Sequence, residues 1–168
     1  MKSINVFKEE NLFWLIFKNL IGSFLLAICI TLVVSLLFGY QYKIVASGSM
    51  TPTLKVRTIV VVAPIKYEDI KVGDIVTYSS GNTTGIVYNF THRVVRISEN
   101  GKIVTAGDAN IQEDGKPRED GEISEERIVG KVLFDMYPVG LLVTYLQGHI
   151  LQVALMILIV FLTYLVIS

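Results

Sequence analysis

The chain has 168 residues, a formal net charge of zero and 52% hydrophobic residues, a composition typical of a membrane protein with a water-facing domain. The neutral balance gives no reason to expect a nucleic-acid partner. The single cysteine, Cys29, excludes an intramolecular disulfide and a cysteine metal cluster. Apolar residues crowd both ends of the chain, whereas most charges lie in the middle. We therefore expect membrane-facing ends around one polar domain.

The first apolar run, residues 20–40, contains no charged residue and is long enough to cross a hydrocarbon core of about 30 Å as a helix. The segment before it is amphipathic and carries Phe13, Trp14 and Phe17, residues suited to the membrane interface. A cleavable signal peptide is the competing interpretation. The run is long for such a segment, and no Ala-x-Ala-like site follows it closely. We predict a cytosolic segment and transmembrane anchor at residues 1–40.

The orientation of this anchor depends on three lysines, Lys2, Lys8 and Lys18. Positive residues beside a membrane span favour the cytosolic side, whereas acidic residues contribute little. The pattern places the N-terminus in the cytosol and the middle of the chain outside the cell.

The middle section, residues 41–138, has the pattern of a β domain. Short segments rich in Val, Ile and Tyr alternate with Gly, Asn and Asp turns; these segments are residues 58–64, 74–80, 85–97, 102–108 and 127–136. Residues 67–74 form a polar connection. Residues 109–126 are acidic and contain Gly and Pro, which predicts a loop with a short helical turn near Ser124. The fold class is therefore mostly β: a compact extracytoplasmic domain flanked by transmembrane helices.

The second apolar run, residues 139–168, predicts a C-terminal transmembrane segment. Its last part is uncharged and long enough to span, and polar Gln147, His149 and Gln152 stand at its start, where headgroups would lie. A buried helix in a soluble core is the alternative. A middle section of about a hundred residues is too small to enclose two such helices. The expected location is the cell membrane, with more than one span.

Candidate chemistry begins with two serines, Ser47 and Ser49, in the turn-rich stretch at residues 46–54. Serine attack on a carbonyl needs a base, a group that orients the base, and donors for the oxyanion. His92 lies in the polar domain and His149 in the second apolar run. Taken singly, the serines also fit turn capping and His92 fits a half-buried strand position. Residue types alone allow a Ser-His-Asp site without establishing one.

Four segments in order connect these residues to a known family: SGSMTPTL (47–54), VGDIVTY (72–78), THRVV (91–95) and TAGDAN (105–110). Together, behind an apolar span, they resemble the type I signal peptidases, in particular the endoplasmic-reticulum-type branch also found in archaea and some Gram-positive bacteria. The resemblance covers the middle domain and the N-terminal anchor.

The resemblance implies a role for each matching position. Ser49 matches the nucleophile, and Ser47 matches a serine that forms the oxyanion hole with the backbone N–H of Ser49. His92 stands where the ordinary bacterial branch carries a lysine base, which assigns the chain to the Ser-His branch. Arg93, which follows His92, matches an arginine that both branches of the family share.

The third member of the site is predicted from an aspartate pair six residues apart, Asp108 and Asp114. The family shows such a pair, which implies Asp114 as the carboxylate that orients His92 and Asp108 as a residue that positions the loop or a hydrogen-bond network. The residues before Asp114 depart from the family pattern, so Glu113 is a rival.

The implied function is a membrane-bound serine endopeptidase that removes signal peptides from exported preproteins after small residues, in Ala-x-Ala sites. The substrate strand would pair beside Tyr42, Ile44 and Ala46 as in β-augmentation. The mechanism requires no metal or other cofactor. The implied partners are signal peptides and the lipid bilayer, with accessory subunits or a translocon as further candidates. Two alternatives are a dedicated processing protease for a few partner proteins and an inactive membrane-anchored assembly module.

Overall fold

A computed structural model describes residues 12–81 and 87–167. The chain divides into two units, one up to Gly39 and one from Tyr40 onward. Lys2 and Lys8, on which the predicted orientation depends, lie outside the described residues.

The described part of the first unit is helix α1 (Leu12–Leu37), which has no buried residue. Among the described residues, α1 is the one helix that is long and apolar enough to cross a membrane by itself. Near its start, the Lys18 ammonium lies 5.7 Å from the centre of the Trp14 ring, a combination suited to a membrane interface. Gly39 follows α1 with a φ of 78°, a conformation that commonly ends a helix. The helix has the length and composition of the predicted anchor.

The second unit is built on one antiparallel sheet, which confirms the mostly β prediction. The strands are β1 (Gln41–Ile44), β2 (Ile59–Ala63), β3 (Ile75–Gly81), β4 (Val87–Ile97), β5 (Ile103–Ile111), β6 (Pro117–Ile123) and β7 (Ile128–Met136). Their order in the sheet is β1-β2-β7-β3-β4-β5-β6, and every pairing is antiparallel. Strands β1 and β6 are therefore the two edges.

The core consists of two clusters of buried side chains, one on strands β3 to β6 and one on β2. The first contains Ile70, Val76, Tyr78, Val94, Ile103 and Ile123. The second contains Met50, Leu54, Val60 and Val62. Burial of each such side chain stabilises the fold by roughly 1.5–3 kcal/mol. Since Met50 and Leu54 belong to the loop after β1, the second cluster holds that loop against the sheet.

The acidic stretch at residues 109–126 was predicted to be a loop, and this prediction is wrong. Strand β5 continues to Ile111, the chain turns at Gly115 with a φ of 81°, and β6 returns along β5. Of the β6 side chains, only that of Ile123 is buried, so the strand lacks the alternation of apolar residues that identifies β structure. The helical turn expected near Ser124 is present as a 3₁₀ turn at Glu125–Arg127. A second 3₁₀ turn, Tyr67–Asp69, lies within the predicted polar connection.

The C-terminal run forms two helices instead of one straight span. Helix α2 (Tyr137–Gly148) and helix α3 (Ile150–Ile167) meet at His149, and the axis bends by 78° there. Gly140 allows α2 to pack on the β domain, because a Cβ at this position would lie 1.9 Å from the carbonyl oxygen of Arg57. Among the described residues, the two helices have the length and composition of a span only when taken together. A C-terminal transmembrane helix is therefore not clearly shown.

Candidate active site

Ser49 lies in the loop that joins β1 to β2, and the loop is fixed from both sides. We call residues 45–54 the Ser49 loop. Met50 and Leu54 bury their side chains in the core. On the opposite side, the backbone N–H of Ala109 donates to the carbonyl oxygen of Ser49 at 2.8 Å. Gly107 permits this approach, since a Cβ there would lie 2.6 Å from the same oxygen. The packing leaves the Ser49 hydroxyl half-buried at a defined position.

His92 projects from the middle of β4 toward Ser49. Its side chain is buried, and its Nε2 lies 2.9 Å from the Ser49 Oγ. The rings of Tyr78 and Phe90 lie 6.4 and 6.3 Å from the imidazole, centre to centre. These neighbours restrict the orientation of the ring. The structure thus brings together the two residues that the sequence singled out from opposite parts of the polar domain.

The carboxylate against His92 belongs to Asp120 on β6. Its Oδ2 lies 2.6 Å from His92 Nδ1 and accepts a hydrogen bond from the Thr105 hydroxyl at 2.8 Å. Burial raises the pKa of Asp120, but the hydrogen bonds from His92 and Thr105 outweigh burial and hold this pKa below its usual value. Asp120 is therefore ionised at neutral pH and accepts the Nδ1–H of the imidazole. This tautomer leaves Nε2 free to accept the Ser49 proton.

The prediction that Asp114 orients His92 is wrong in its geometry. Asp114 lies on the β5–β6 turn. Its carboxylate accepts a hydrogen bond from the backbone N–H of Lys116 at 3.0 Å and forms an ion pair with the Lys116 ammonium. Its side chain is 54% exposed. The rival Glu113 lies on the same exposed turn. The turn carries both residues away from the site, and the returning strand brings Asp120 to it.

A sequence signal for Asp120 exists in the Asp-Gly dipeptide at residues 114–115. Asp-Gly is a frequent turn dipeptide, and here Gly115 takes the left-handed position that ends a three-residue hairpin loop. A hairpin there folds the following acidic residues back along β5. The pairing of Val104 with Glu122 and of Ala106 with Glu119 then leaves Asp120 beside Thr105.

Asp108, the other predicted carboxylate, lies against the Ser49 loop. It forms two hydrogen bonds with the guanidinium of Arg93, at 2.9 and 2.7 Å, and accepts the hydroxyl proton of Thr53 at 2.5 Å. The hydrogen bond from Arg93, followed by that from Thr53, lowers the pKa of Asp108 despite partial burial. Since Thr53 belongs to the Ser49 loop, these contacts tie the loop to β4 and β5.

Tyr78 adds a further member to the hydrogen bonds that join His92, Asp120 and Thr105. Its hydroxyl interacts with Thr105 and Asp120, and burial, the largest cause, raises the pKa of Tyr78 to about 12. The phenol is therefore neutral over the working range of an enzyme and acts only as a hydrogen-bonding group. Sequence reasoning missed both Tyr78 and Thr105, because each matches an ordinary core position of a strand.

The predicted oxyanion residue Ser47 is exposed next to Ser49. Its Oγ lies 3.2 Å from the Ser49 Oγ. A hydroxyl at this position can approach the oxygen of a carbonyl group bound at Ser49.

Two cavities meet at Ser49. The first, which we call the groove, has a volume of about 250 Å³ and lies between Ile44–Ala46 and Tyr88–His92. The second, which we call the recess, has a volume of about 740 Å³ and is bounded by Ala109–Ile111, Arg118–Asp120 and Arg127. Of the three predicted substrate-binding residues, Ile44 and Ala46 line the groove, whereas Tyr42 lies farther along β1 and does not.

No cluster of three or more His, Cys, Asp or Glu side chains that could hold a metal ion occurs within residues 12–81 and 87–167.

An aspartate, a histidine and a serine joined by hydrogen bonds in this order form the arrangement that serine hydrolases use. The family model described as "Signal peptidase, peptidase S26" matches residues 17–130, which is more than half of the chain. The chain therefore belongs to the signal peptidase family, peptidase S26. The resemblance to type I signal peptidases found in the sequence is confirmed.

One curated relative in this family is Signal peptidase I W of Bacillus subtilis (strain 168). It is 32% identical to this chain over 90 residues, which cover 51% of this chain and 45% of the relative. The chain thus matches somewhat less than half of the relative's length.

Proposed function

We propose that this chain is a membrane-bound serine endopeptidase that removes signal peptides from exported preproteins. Membership of the S26 family supports the reaction class. The observation that carries the proposal is the pair of contacts on one imidazole: His92 Nε2 lies 2.9 Å from Ser49 Oγ, and Nδ1 lies 2.6 Å from Asp120. Both distances fall within the range that proton transfer requires.

In the proposed mechanism, Ser49 Oγ attacks the scissile carbonyl carbon while His92 Nε2 takes the hydroxyl proton. Asp120 stabilises the resulting imidazolium through its hydrogen bond to Nδ1. The imidazolium then donates this proton to the leaving amine, which departs and leaves an acyl ester on Ser49. A water molecule, deprotonated by His92, hydrolyses the ester and restores the serine.

The developing oxyanion needs hydrogen-bond donors. We assign this role to the Ser47 hydroxyl and the backbone N–H of Ser49, and each such donor contributes on the order of 3 kcal/mol to transition-state stabilisation. The short separation of the two serine hydroxyls, 3.2 Å, supports this assignment.

Two strand edges support a substrate bound as an extended strand in the groove. Within residues 12–81 and 87–167, strand β1 has one neighbouring strand, β2. The first half of β4, up to His92, pairs with β3 but not with β5, which joins β4 only from Arg93 onward. A peptide strand between these edges can form backbone hydrogen bonds with both.

The same groove accounts for the proposed selectivity for small residues. In an extended peptide, the first and third side chains before the cut point to the same face. That face would meet Ile44, Ala46 and Phe90, in a cavity smaller than typical small-molecule pockets. Alanine fits this space, so we propose cleavage after Ala-x-Ala sequences.

The membrane arrangement forms part of the proposal. Helix α1 anchors the chain with the β domain on the extracytoplasmic side of the cell membrane, where signal peptides emerge. Helix α2 packs on the β domain, the break at His149 lies near the headgroups, and α3 enters the bilayer. Signal peptides and the bilayer are then the direct partners, and accessory subunits or a translocon would supply substrate.

Cleavage of a preprotein in membranes that contain the full chain tests this function. The substrate carries an Ala-x-Ala site, and a variant with Phe at the residue before the cut serves as substrate control. We expect wild-type protein to cleave only the alanine form, and Ser49→Ala to cleave neither. His92→Lys is expected to be inactive as well, because an ammonium paired with Asp120 cannot take the serine proton. Equal cleavage by wild type and Ser49→Ala would contradict the assignment of Ser49 as the nucleophile.

A further inference from the structure

The recess continues the groove beyond the nucleophile. The two cavities share Ser47, Ser49, Phe90 and His92 in their linings. An extended peptide that occupies the groove therefore enters the recess after it passes Ser49.

The direction of the peptide follows from the proton transfer in the proposed function, on which this inference rests. His92 must donate to the nitrogen of the leaving amine, so the chain attached to that nitrogen departs past the imidazole. Asp120 lies at the Nδ1 side of the imidazole, and both residues line the recess. The groove thus holds the residues before the cut, and the recess receives the residues after it.

The two cavities differ in charge. Apart from His92, the groove is lined by uncharged residues, whereas the recess is lined by Arg118, Glu119, Asp120 and Arg127. Both carboxylates have partners: Glu119 accepts two hydrogen bonds from Arg96, at 2.9 and 2.7 Å, and Asp120 accepts from His92. In the described part of the chain, neither Arg118 nor Arg127 has a carboxylate oxygen within 4.0 Å. Arg96 neutralises Glu119, whereas the neutral imidazole of His92 leaves the charge of Asp120 uncompensated. Two arginines therefore stand against one carboxylate in the recess, and the remaining charge is positive.

The two arginines are held in different ways. Arg127 is half-buried, its Nε donates to the carbonyl oxygen of Ser79 at 2.9 Å, and its guanidinium lies 5.7 Å from the Tyr78 ring centre. Arg118 lies exposed on the edge strand β6. A fixed guanidinium loses little conformational freedom when it binds a carboxylate.

We propose that the recess binds the first residues of the released mature chain and selects for acidic side chains at those positions. Arg118 and Arg127 supply the positive charge that attracts aspartate or glutamate, and they repel lysine and arginine. The site thereby adds a charge-dependent selectivity on the mature side of the cut to the size-dependent selectivity of the groove.

Three peptides test this inference on the full-length protein in detergent. All share one signal-peptide sequence that ends in Ala-x-Ala, and they carry Glu-Glu, Gln-Gln or Lys-Lys directly after the cut. We expect kcat/KM to fall in the order Glu, Gln, Lys, by about two- to fivefold at each step, the size expected for partly exposed ion pairs. The differences should shrink as salt is added, because added ions screen exposed charges.

Charge reversal identifies the residue responsible. Arg118→Glu should raise kcat/KM for the Lys peptide and lower it for the Glu peptide. Lys116→Glu is the matched control: it makes the same change of charge two residues away, outside the recess lining, and should retain the wild-type order of substrates.

Two results would overturn the inference. One is equal cleavage of the Glu, Gln and Lys peptides by wild type, and the other is an order of preference that Arg118→Glu leaves unchanged. Binding of fluorescent forms of the peptides to Ser49→Ala measures the same preference without catalysis. If wild type cleaved none of the peptides while Ser49→Ala still preferred the Glu form, the proposed activity would fail and the inference about the recess would stand.

Discussion

Two hydrogen-bonded groups flank Ser49 and begin at neighbouring residues of β4. We call His92, Asp120, Thr105 and Tyr78 the relay, and Arg93, Asp108 and Thr53 the clamp. Successive side chains of a strand point to opposite faces, so His92 reaches Asp120 on β6 and Arg93 reaches Asp108 on β5. Strand β4 thus contributes one residue to each group.

The two groups differ in what their charges do. The clamp joins an arginine that is always protonated to a carboxylate of lowered pKa, so its charges stay constant over the working pH range. The relay contains the imidazole that takes up and returns a proton in the proposed mechanism. In the proposed mechanism, the clamp therefore holds Ser49 in position, whereas the relay accepts its proton. Changes to the clamp should therefore affect stability and alignment, and changes to the relay should affect rate.

The largest expected effect of a clamp-side change is that of Gly107→Ala. The added Cβ would lie 2.6 Å from the carbonyl oxygen of Ser49, so the Ser49 loop must shift away from β5. A displacement of about 1 Å costs on the order of 10²-fold in rate. Thermal unfolding and peptide cleavage measured together check this prediction. Wild-type rate and melting temperature in Gly107→Ala would show that the close backbone contact has no importance.

A smaller effect is expected for Asp108→Asn. The amide keeps the shape of the carboxylate but loses the charge that binds Arg93 and Thr53. We expect a loss of about 1–3 kcal/mol in the free energy of unfolding and a reduction in kcat/KM of about tenfold. Glu122→Gln is the control, since it breaks an exposed ion pair with Lys102 that lies outside both cavities and away from the Ser49 loop. A loss in Asp108→Asn no greater than in this control would contradict the clamp.

A still smaller effect is expected for Thr105→Val in the relay. The variant keeps the buried shape but removes one hydrogen bond to Asp120 Oδ2, so the pKa of Asp120 rises and its hold on the imidazole weakens. We expect a reduction in kcat of about three- to tenfold with little change in KM. Thr77→Val is the control, because the equally buried Thr77 hydroxyl bonds to Thr91 instead. Equal losses in the two variants would indicate a packing effect and not a relay.

The pH dependence of stability gives the mildest test. The pKa values of both Asp108 and Asp120 are lower in the folded protein than their usual value. Their contribution to stability is therefore fully present above the unfolded pKa of about 3.9 and is lost as pH falls through the folded values. We expect the melting temperature of wild type to fall more steeply below about pH 4 than that of Asp108→Asn. If the melting temperatures of the two proteins fell equally steeply with decreasing pH, the lowered pKa assigned to Asp108 would be contradicted.

The sequence predicted the parts of the molecule whose signals are local. An uncharged run of sufficient length predicts α1, and segments rich in Val and Ile predict β2, β3, β4, β5 and β7. The β5–β6 hairpin was missed because its outer strand is nearly all exposed and carries no apolar alternation. The break at His149 was missed because hydropathy measures the length of an apolar run and not the direction of its axis.

The site was predicted in part for a related reason. Ser49 and His92 stand in short motifs, so the family resemblance identified them. Asp120 was missed because its proximity to His92 depends on the hairpin turn at Gly115 and on the irregular pairing of β5 with β6. Asp114 has the spacing expected of the family but lies on the turn itself. A carboxylate role that depends on strand register cannot be assigned from spacing along the chain.

The most direct test of the relay compares Asp120→Asn with Asp114→Asn in the cleavage of an Ala-x-Ala preprotein. Both substitutions remove one negative charge from the same hairpin, but only the first removes the acceptor of the His92 Nδ1–H. We predict that Asp120→Asn lowers kcat on the order of 10³- to 10⁴-fold and that Asp114→Asn cleaves at the wild-type rate, both variants being folded. Near-wild-type activity of Asp120→Asn, with a large loss in Asp114→Asn, would contradict the account.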